Sequence, residues 1–218
     1  GATAENWDSV LPPVLAGIMK YDGNYVAAPV NIHRVDWIWA SPTALEKAGI
    51  TEMPTTWEEF NTAAEKLEAA GLVALAHGGQ PWQDATVFED VVLGVGGPEF
   101  YRKALVELDH EALTSDTMVA AFDQLRILRG YVDDSFSGRD WNLATAMVIR
   151  GEAGFQIMGD WAQGEFQVAG LVAVFAQLGG AELHAVDVVY SGLQHVAVQA
   201  FKLADISQAD LNRLAHEV

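Results

Sequence analysis

The chain has 218 residues, 50% of them hydrophobic, with a net charge of −18 and a pI near 4.4. That length accommodates one large or two small domains around a sizeable core, while the charge repels nucleic-acid phosphates, anionic membrane surfaces and anionic substrates. There is no cysteine, which excludes disulfides and thiolate metal sites, and no apolar run reaches transmembrane length.

The opening Gly1-Ala2-Thr3-Ala4-Glu5 has neither a basic nor an apolar leader region, so no signal peptide is expected. Trp7, Val10, Leu11, Val14 and Ile18 fall at helical spacing across Pro12 and Pro13. Tyr21-Asp22-Gly23-Asn24 is turn chemistry. Residues 25–30 read as a strand and 35–40 as another. Ser41-Pro42 opens a short helix that stops at Gly49. Thr56-Trp57-Glu58-Glu59 is a capping box for a helix that runs to Ala70 and ends at Gly71. A short strand over 73–76 leads into a loop carrying Trp82, then a helix over 86–95. Gly94, Gly96, Gly97 and Pro98 break that helix, and a shorter one covers 99–107.

Ser115-Asp116 caps a long helix to Arg129, with Val119, Phe122, Leu125 and Leu128 expected on one face. Residues 133–140 form a polar loop. A helix from Trp141 or Asn142 to Arg150 precedes an apolar strand over 153–158, and a helix follows over 160–169. Strands are expected at 172–175, 186–190 and 196–201, and Ser207-Gln208-Ala209-Asp210 caps a final amphipathic helix. Strands and helices mixed along the whole length indicate an α/β layer fold, a mixed sheet with flanking helices.

Two tryptophans stand at strand ends. Gly159-Asp160-Trp161-Ala162 follows the strand over 153–158, and Gly78-Gly79-Gln80-Pro81-Trp82-Gln83-Asp84 follows the strand over 73–76. Ligands collect at the ends of strands in open α/β sheets. An indole face beside amide and carboxylate groups suits a pyranose, which has one apolar face and a rim of hydroxyls. Gln80 and Asp84 either bond such hydroxyls or close their loop through local turns. Asp160 is either a helix N-cap or a ligand contact. Trp37, Trp39, Trp57 and Trp141 are expected to pack, and Asp133-Asp134 and Glu58-Glu59 to be solvated faces.

Metal and catalytic patterns are weak. The six histidines lack metal-ligand spacing, no Gly-x-Ser-x-Gly elbow occurs, and Gly94-Val95-Gly96-Gly97 lacks the lysine of a phosphate loop. No metal, cofactor or catalytic residue is expected.

Four motifs occur in order: Pro29-Val30-Asn31-Ile32-His33-Arg34-Val35, Pro54-Thr55-Thr56-Trp57-Glu58-Glu59-Phe60, Gly78-Gly79-Gln80-Pro81-Trp82 and Met158-Gly159-Asp160-Trp161-Ala162. Together they resemble the bacterial extracellular solute-binding proteins of sugar ABC transporters, in particular the glucose/mannose-binding branch. The resemblance implies a type II periplasmic-binding-protein-like lobe, mostly the C-terminal one. Residues 1–170 would be the second-lobe region, and 171–218 an atypical tail with a hinge-like strand and a terminal helix.

The resemblance also implies a periplasmic or extracellular receptor that captures a monosaccharide such as glucose or mannose and delivers it to an ABC permease. It places His33, Trp82 and Trp161 against the sugar, with Trp161 as the main stacking platform. Gln80, Asp84 and Asp160 complete the candidate set. Departures are the absence of the family's first-lobe opening strand, Val196 where the family carries a carboxylate, and residues 171–190, which match nothing familiar. Weak binding and self-association through the surface of the missing lobe follow as expectations. The rival reading is an acidic glycoside hydrolase, which requires two facing carboxyl groups, and Asp160 has no evident partner for that role.

Overall fold

The computed structural model describes residues 1–28, 33–35 and 37–170, with the backbone of 174–176 and 187–188. The proline pair divides the first helical stretch into α1 (Trp7–Val10) and α2 (Pro13–Ile18), and Pro13 takes the first helical position, where its missing N–H is not needed. A tight hairpin follows, β1 (Lys20–Tyr21) with β2 (Asn24–Tyr25), turned by Asp22 and Gly23 at positive φ. The strand expected over 25–30 is confined to that hairpin among the described residues: the Val26 N–H adds one bond to the Met19 carbonyl at 2.9 Å, residues 27 and 28 belong to no strand, and 29–32 lie outside the description. Of the described residues in the run 35–40, β4 (Ile38–Ala40) joins a sheet. Just before it, β3 (His33–Arg34) pairs antiparallel with β8 (Asp187–Val188).

Among the described residues the central sheet has four strands: β4, β5 (Val73–Leu75), β6 (Ala153–Ile157) and β7 (Val174–Ala176), in the order β5-β6-β4-β7. β5 and β6 are parallel, and β4 is antiparallel to both its neighbours. Every residue of β6 is buried, which accounts for an apolar run without alternation.

Helix α3 (Pro42–Lys47) is capped by the Ser41 hydroxyl. In α4 (Trp57–Ala69) the Thr56 hydroxyl accepts from the Glu59 N–H at 3.2 Å. The Glu59 carboxylate accepts from the Thr55 N–H and hydroxyl, both at 2.8 Å, so the box closes one residue earlier than its usual form. Those bonds hold the Glu59 carboxyl below its ordinary pKa. Trp57, Phe60, Ala64 and Leu67 form the buried stripe of α4, and Phe60 lies 4.9 Å from Phe155 of β6.

Helix α5 (Pro81–Tyr101) begins well before the expected 86–95, because Pro81 at its first position is preorganised for helix. It breaks at Gly97, where φ is +76° and a side chain would be strained. A π-helical turn, Arg102–Val106, leads to α6 (His110–Leu113) and α7 (Asp116–Gly130). Ser115 caps α7 as expected, but the buried face is Met118, Ala121, Gln124 and Leu128. Val119 and Phe122 are 57% and 50% exposed, which corrects the expected face. The helix is rotated so that small Ala121 is buried and Gln124 exchanges two 3.1 Å bonds with Asn61, while Phe122 stacks on Phe88. Helices α8 (Trp141–Ile149) and α9 (Gln163–Val168) flank β6 in sequence, and the expected helix over 160–169 opens with a 3₁₀ turn, Asp160–Ala162. The strand expected at 196–201 and the helix after Ser207 lie outside the described residues.

Candidate functional site

Strand directions create the site. β5 and β6 are parallel neighbours, with Val73 opposite Ala153 and Leu75 opposite Phe155, so both C-terminal ends open on one edge of the sheet. β4 runs the other way beside β6, which brings its beginning to that same edge: Ile38 lies opposite Ile157, and the Met158 N–H donates to the Trp37 carbonyl at 3.0 Å. Residues following β5, residues following β6 and residues preceding β4 therefore converge.

Trp82 and Trp161 meet there with ring centroids 6.2 Å apart and planes inclined at 54°. Trp161 folds back over Gly159, where an added Cβ would lie 2.3 Å from its Cζ3, so glycine is required by this close approach. The His33 ring meets Trp161 edge-on at 5.3 Å. His33 Nδ1 lies 2.8 Å from Asp160 Oδ1, joining a residue before β4 to one after β6. Gly159, not Asp160, occupies the N-cap position of the 3₁₀ turn, and no side-chain cap bond forms. The Asp160 carboxylate is instead directed at His33. Both indoles are partly buried, and Trp161 packs against each of the two larger apolar clusters.

Trp82 is not in a loop, as expected, but in the first turn of α5. Its indole Nε1–H donates to Gln80 Oε1 at 2.8 Å, and Gln80 Nε2 donates to Asp140 Oδ1 at 2.7 Å. Asp84 makes a 2.8 Å contact from its Oδ1 to Nε2 of buried His77. His33, Trp82, Asp160 and Trp161 thus form one connected group, with Gln80 behind Trp82 and Asp84 directed to His77.

Sequence reasoning missed His77, Asp133, Arg139 and Asp140. Asp133 is not a solvated face: Arg139 donates to both its carboxylate oxygens at 2.7 Å, and that bonding holds the Asp133 carboxyl below its ordinary pKa. Arg139 also donates to the His77 carbonyl at 3.1 Å, and the Gly79 N–H donates to the Arg139 carbonyl at 3.2 Å. An acid and an arginine six residues apart across a turn were the available signal. Trp37, Trp39 and Trp57 are buried, and Trp39 stacks on Phe166 and donates to the Met158 carbonyl at 2.8 Å. Trp141 is partly buried.

Residues 2–183 match the family described as bacterial extracellular solute-binding protein. A relative from Brucella suis named "Probable sugar-binding periplasmic protein" is 57% identical over 169 residues, covering 78% of this chain and 40% of the relative. One of the same name from Rhizobium meliloti is 55% identical over 165 residues, covering 76% of this chain and 39% of the relative. The chain thus spans about two fifths of the length of these relatives. A manno-oligosaccharide-specific solute-binding protein from Bifidobacterium animalis subsp. lactis, solved with mannotriose, superposes with a TM-score of 0.64 at 18% identity. That match covers 92% of this chain and 49% of the other, and the likeness is one of fold. The chain belongs to the bacterial extracellular solute-binding protein family.

Proposed function

We propose that this member of the family binds a neutral sugar, a monosaccharide such as glucose or mannose, at the edge where Trp82 and Trp161 meet. The sugar's apolar face stacks on the indoles, and His33 and Asp160 bond its hydroxyls. The observation that carries the reading is the indole pair itself: two aromatic rings with centroids 6.2 Å apart, inclined at 54° and flanked by polar atoms. The names of the relatives support a sugar ligand and a periplasmic or extracellular location. Delivery of the captured sugar to an ABC permease, after closure of a second lobe over it, is part of the same reading. Residues 1–170 act as the second-lobe region, and 171–218 as a tail with a hinge-like strand.

The role is capture without turnover. The family matched is one of solute-binding proteins, and of the candidate acids Asp160 contacts His33 and Asp84 contacts His77. Contact from one lobe leaves much of a sugar hydrated and forgoes several bonds of about 1 kcal/mol each. Affinity for the isolated chain is therefore set at roughly millimolar. Self-association through the surface that a first lobe would cover belongs to the same reading.

Calorimetry and tryptophan-fluorescence titration with glucose, mannose and galactose test the function. Saturable binding of at least one sugar is expected. No heat and no fluorescence change with any of the three, at concentrations well above millimolar, would overturn it.

A further inference from the structure

We propose that Asp140 is a positioning residue for the Trp82 platform, acting through Gln80. The proposal deepens the saccharide reading and rests on it for its consequence in binding, though not for the geometry.

The Gln80 amide sits at the centre of a short relay. Its Nε2 donates to Asp140 Oδ1 at 2.7 Å, and its Oε1 accepts from Trp82 Nε1 at 2.8 Å and from Gln83 Nε2 at 3.0 Å. An indole N–H can only donate and a carboxylate can only accept, so chemistry allows the amide one orientation. With its oxygen held by two donors, Gln80 fixes the rotation of the Trp82 ring about its side-chain bonds. The ring then meets Trp161 at a set angle.

Both acceptors stand where a different bond is the usual one. Asp140 is the N-cap residue of α8 and Gln80 the N-cap residue of α5, yet neither side chain accepts a backbone N–H of its own helix. Aspartate at that position ordinarily accepts a backbone N–H from the first turn. Here the two cap side chains join the two helices to each other. The backbone around Asp140 is braced to receive this bond: its neighbour Arg139 is clamped on Asp133, and the Arg139 carbonyl accepts from the Gly79 N–H and from Gln83 Nε2, both at 3.2 Å. The indole N–H of Trp82 therefore points into the protein framework, and the ring offers a ligand its face.

The test follows the Trp82 indole proton by nuclear magnetic resonance in the 15N-labelled chain, its signal identified by its loss in Trp82→Phe. Asp140→Ala should speed exchange of that proton with solvent by roughly fivefold, the worth of one ordinary hydrogen bond. Asp140→Asn should leave it near the wild-type rate, because the new carbonyl still accepts from Gln80. Gln80→Glu sets two carboxylates against each other and should also speed exchange. Combining it with Asp140→Asn should restore the slow rate, since the new amide donates to the new carboxylate. Glucose titration of the same proteins should show the dissociation constant rising severalfold in Asp140→Ala and Gln80→Glu and returning in the paired variant.

An unchanged indole proton in Asp140→Ala, with far-ultraviolet circular dichroism intact, overturns the proposal. So does failure of Asp140→Asn to rescue Gln80→Glu. If the proton responds as expected but the wild type binds no sugar, the positioning role stands and the saccharide reading falls.

Discussion

Asp90 of α5 is fully buried, and neither of its carboxylate oxygens has a hydrogen-bond partner among the described residues. Burial without compensation disfavours the charged form, and the Asp90 carboxyl is pushed up to about 7. Its sequence neighbour Glu89, which accepts from the Tyr101 hydroxyl at 3.3 Å, is also raised by burial to about 7. In the unfolded chain an aspartate titrates near 4. Between those two pH values the folded chain keeps a proton that the unfolded chain has released. Stability therefore falls as pH rises from about 4 to about 7, and the loss is complete above that window. Across that window each proton that the fold retains costs about 1.4 kcal/mol of stability per pH unit.

Asp90→Asn keeps the shape and removes the ionisation. Urea unfolding of wild type and variant, followed by tryptophan fluorescence at pH 5 and pH 8, isolates this group from the self-repulsion of the other acids, which both proteins share. The variant should be the more stable at pH 8, and its advantage should be larger there than at pH 5 by about 1 kcal/mol or more. An advantage that does not change with pH, or a variant less stable than wild type at pH 8, would refute the reasoning.

Trp161→Ala should weaken saccharide binding by roughly 1–3 kcal/mol by calorimetry while circular dichroism stays unchanged; collapse of the fold would make the ring a core element instead. Gly159→Ala places a Cβ 2.3 Å from Trp161 Cζ3 and should force the ring off His33, costing about 1–3 kcal/mol in thermal unfolding. An unchanged melting temperature would show that the ring does not need that space. Arg139→Lys loses the two-pronged grip on Asp133 and should cost about 1–2 kcal/mol at neutral pH. Because that grip holds the Asp133 carboxyl low, its contribution is present at neutral pH and lost as pH falls through the acid range below the ordinary carboxylate value. Acid unfolding profiles should accordingly converge for the two proteins, and a gap that persists at low pH would count against the pair.

Local chemistry was legible in the sequence wherever a few neighbouring residues decide the outcome. Thr56 and Ser115 start their helices because a hydroxyl meets an N–H three residues on, and that bond depends on nothing distant. Gly97-Pro98 ends a helix for the same local reason. The tryptophans at the ends of β5 and β6 were visible as sequence features, and the order of four motifs carried the family. The face of α7 was not, since Val119 and Phe122 have the right spacing and the neighbouring helices alone decide which side is covered. Nor could Asp133 and Arg139, or Asp140 and Gln80, be paired by inspection, because opposite or complementary groups abound in an acidic chain.

What brings the candidate site together is strand order. Placing β6 between β5 and β4 aligns two C-terminal ends and one N-terminal end on a single edge. His33 then meets Asp160 across 127 positions of chain, and Trp82 meets Trp161. The residues supply groups able to stack and bond, as their types alone dictate. Their meeting depends on which strands bury one another, a choice made by the whole core and written in no local segment.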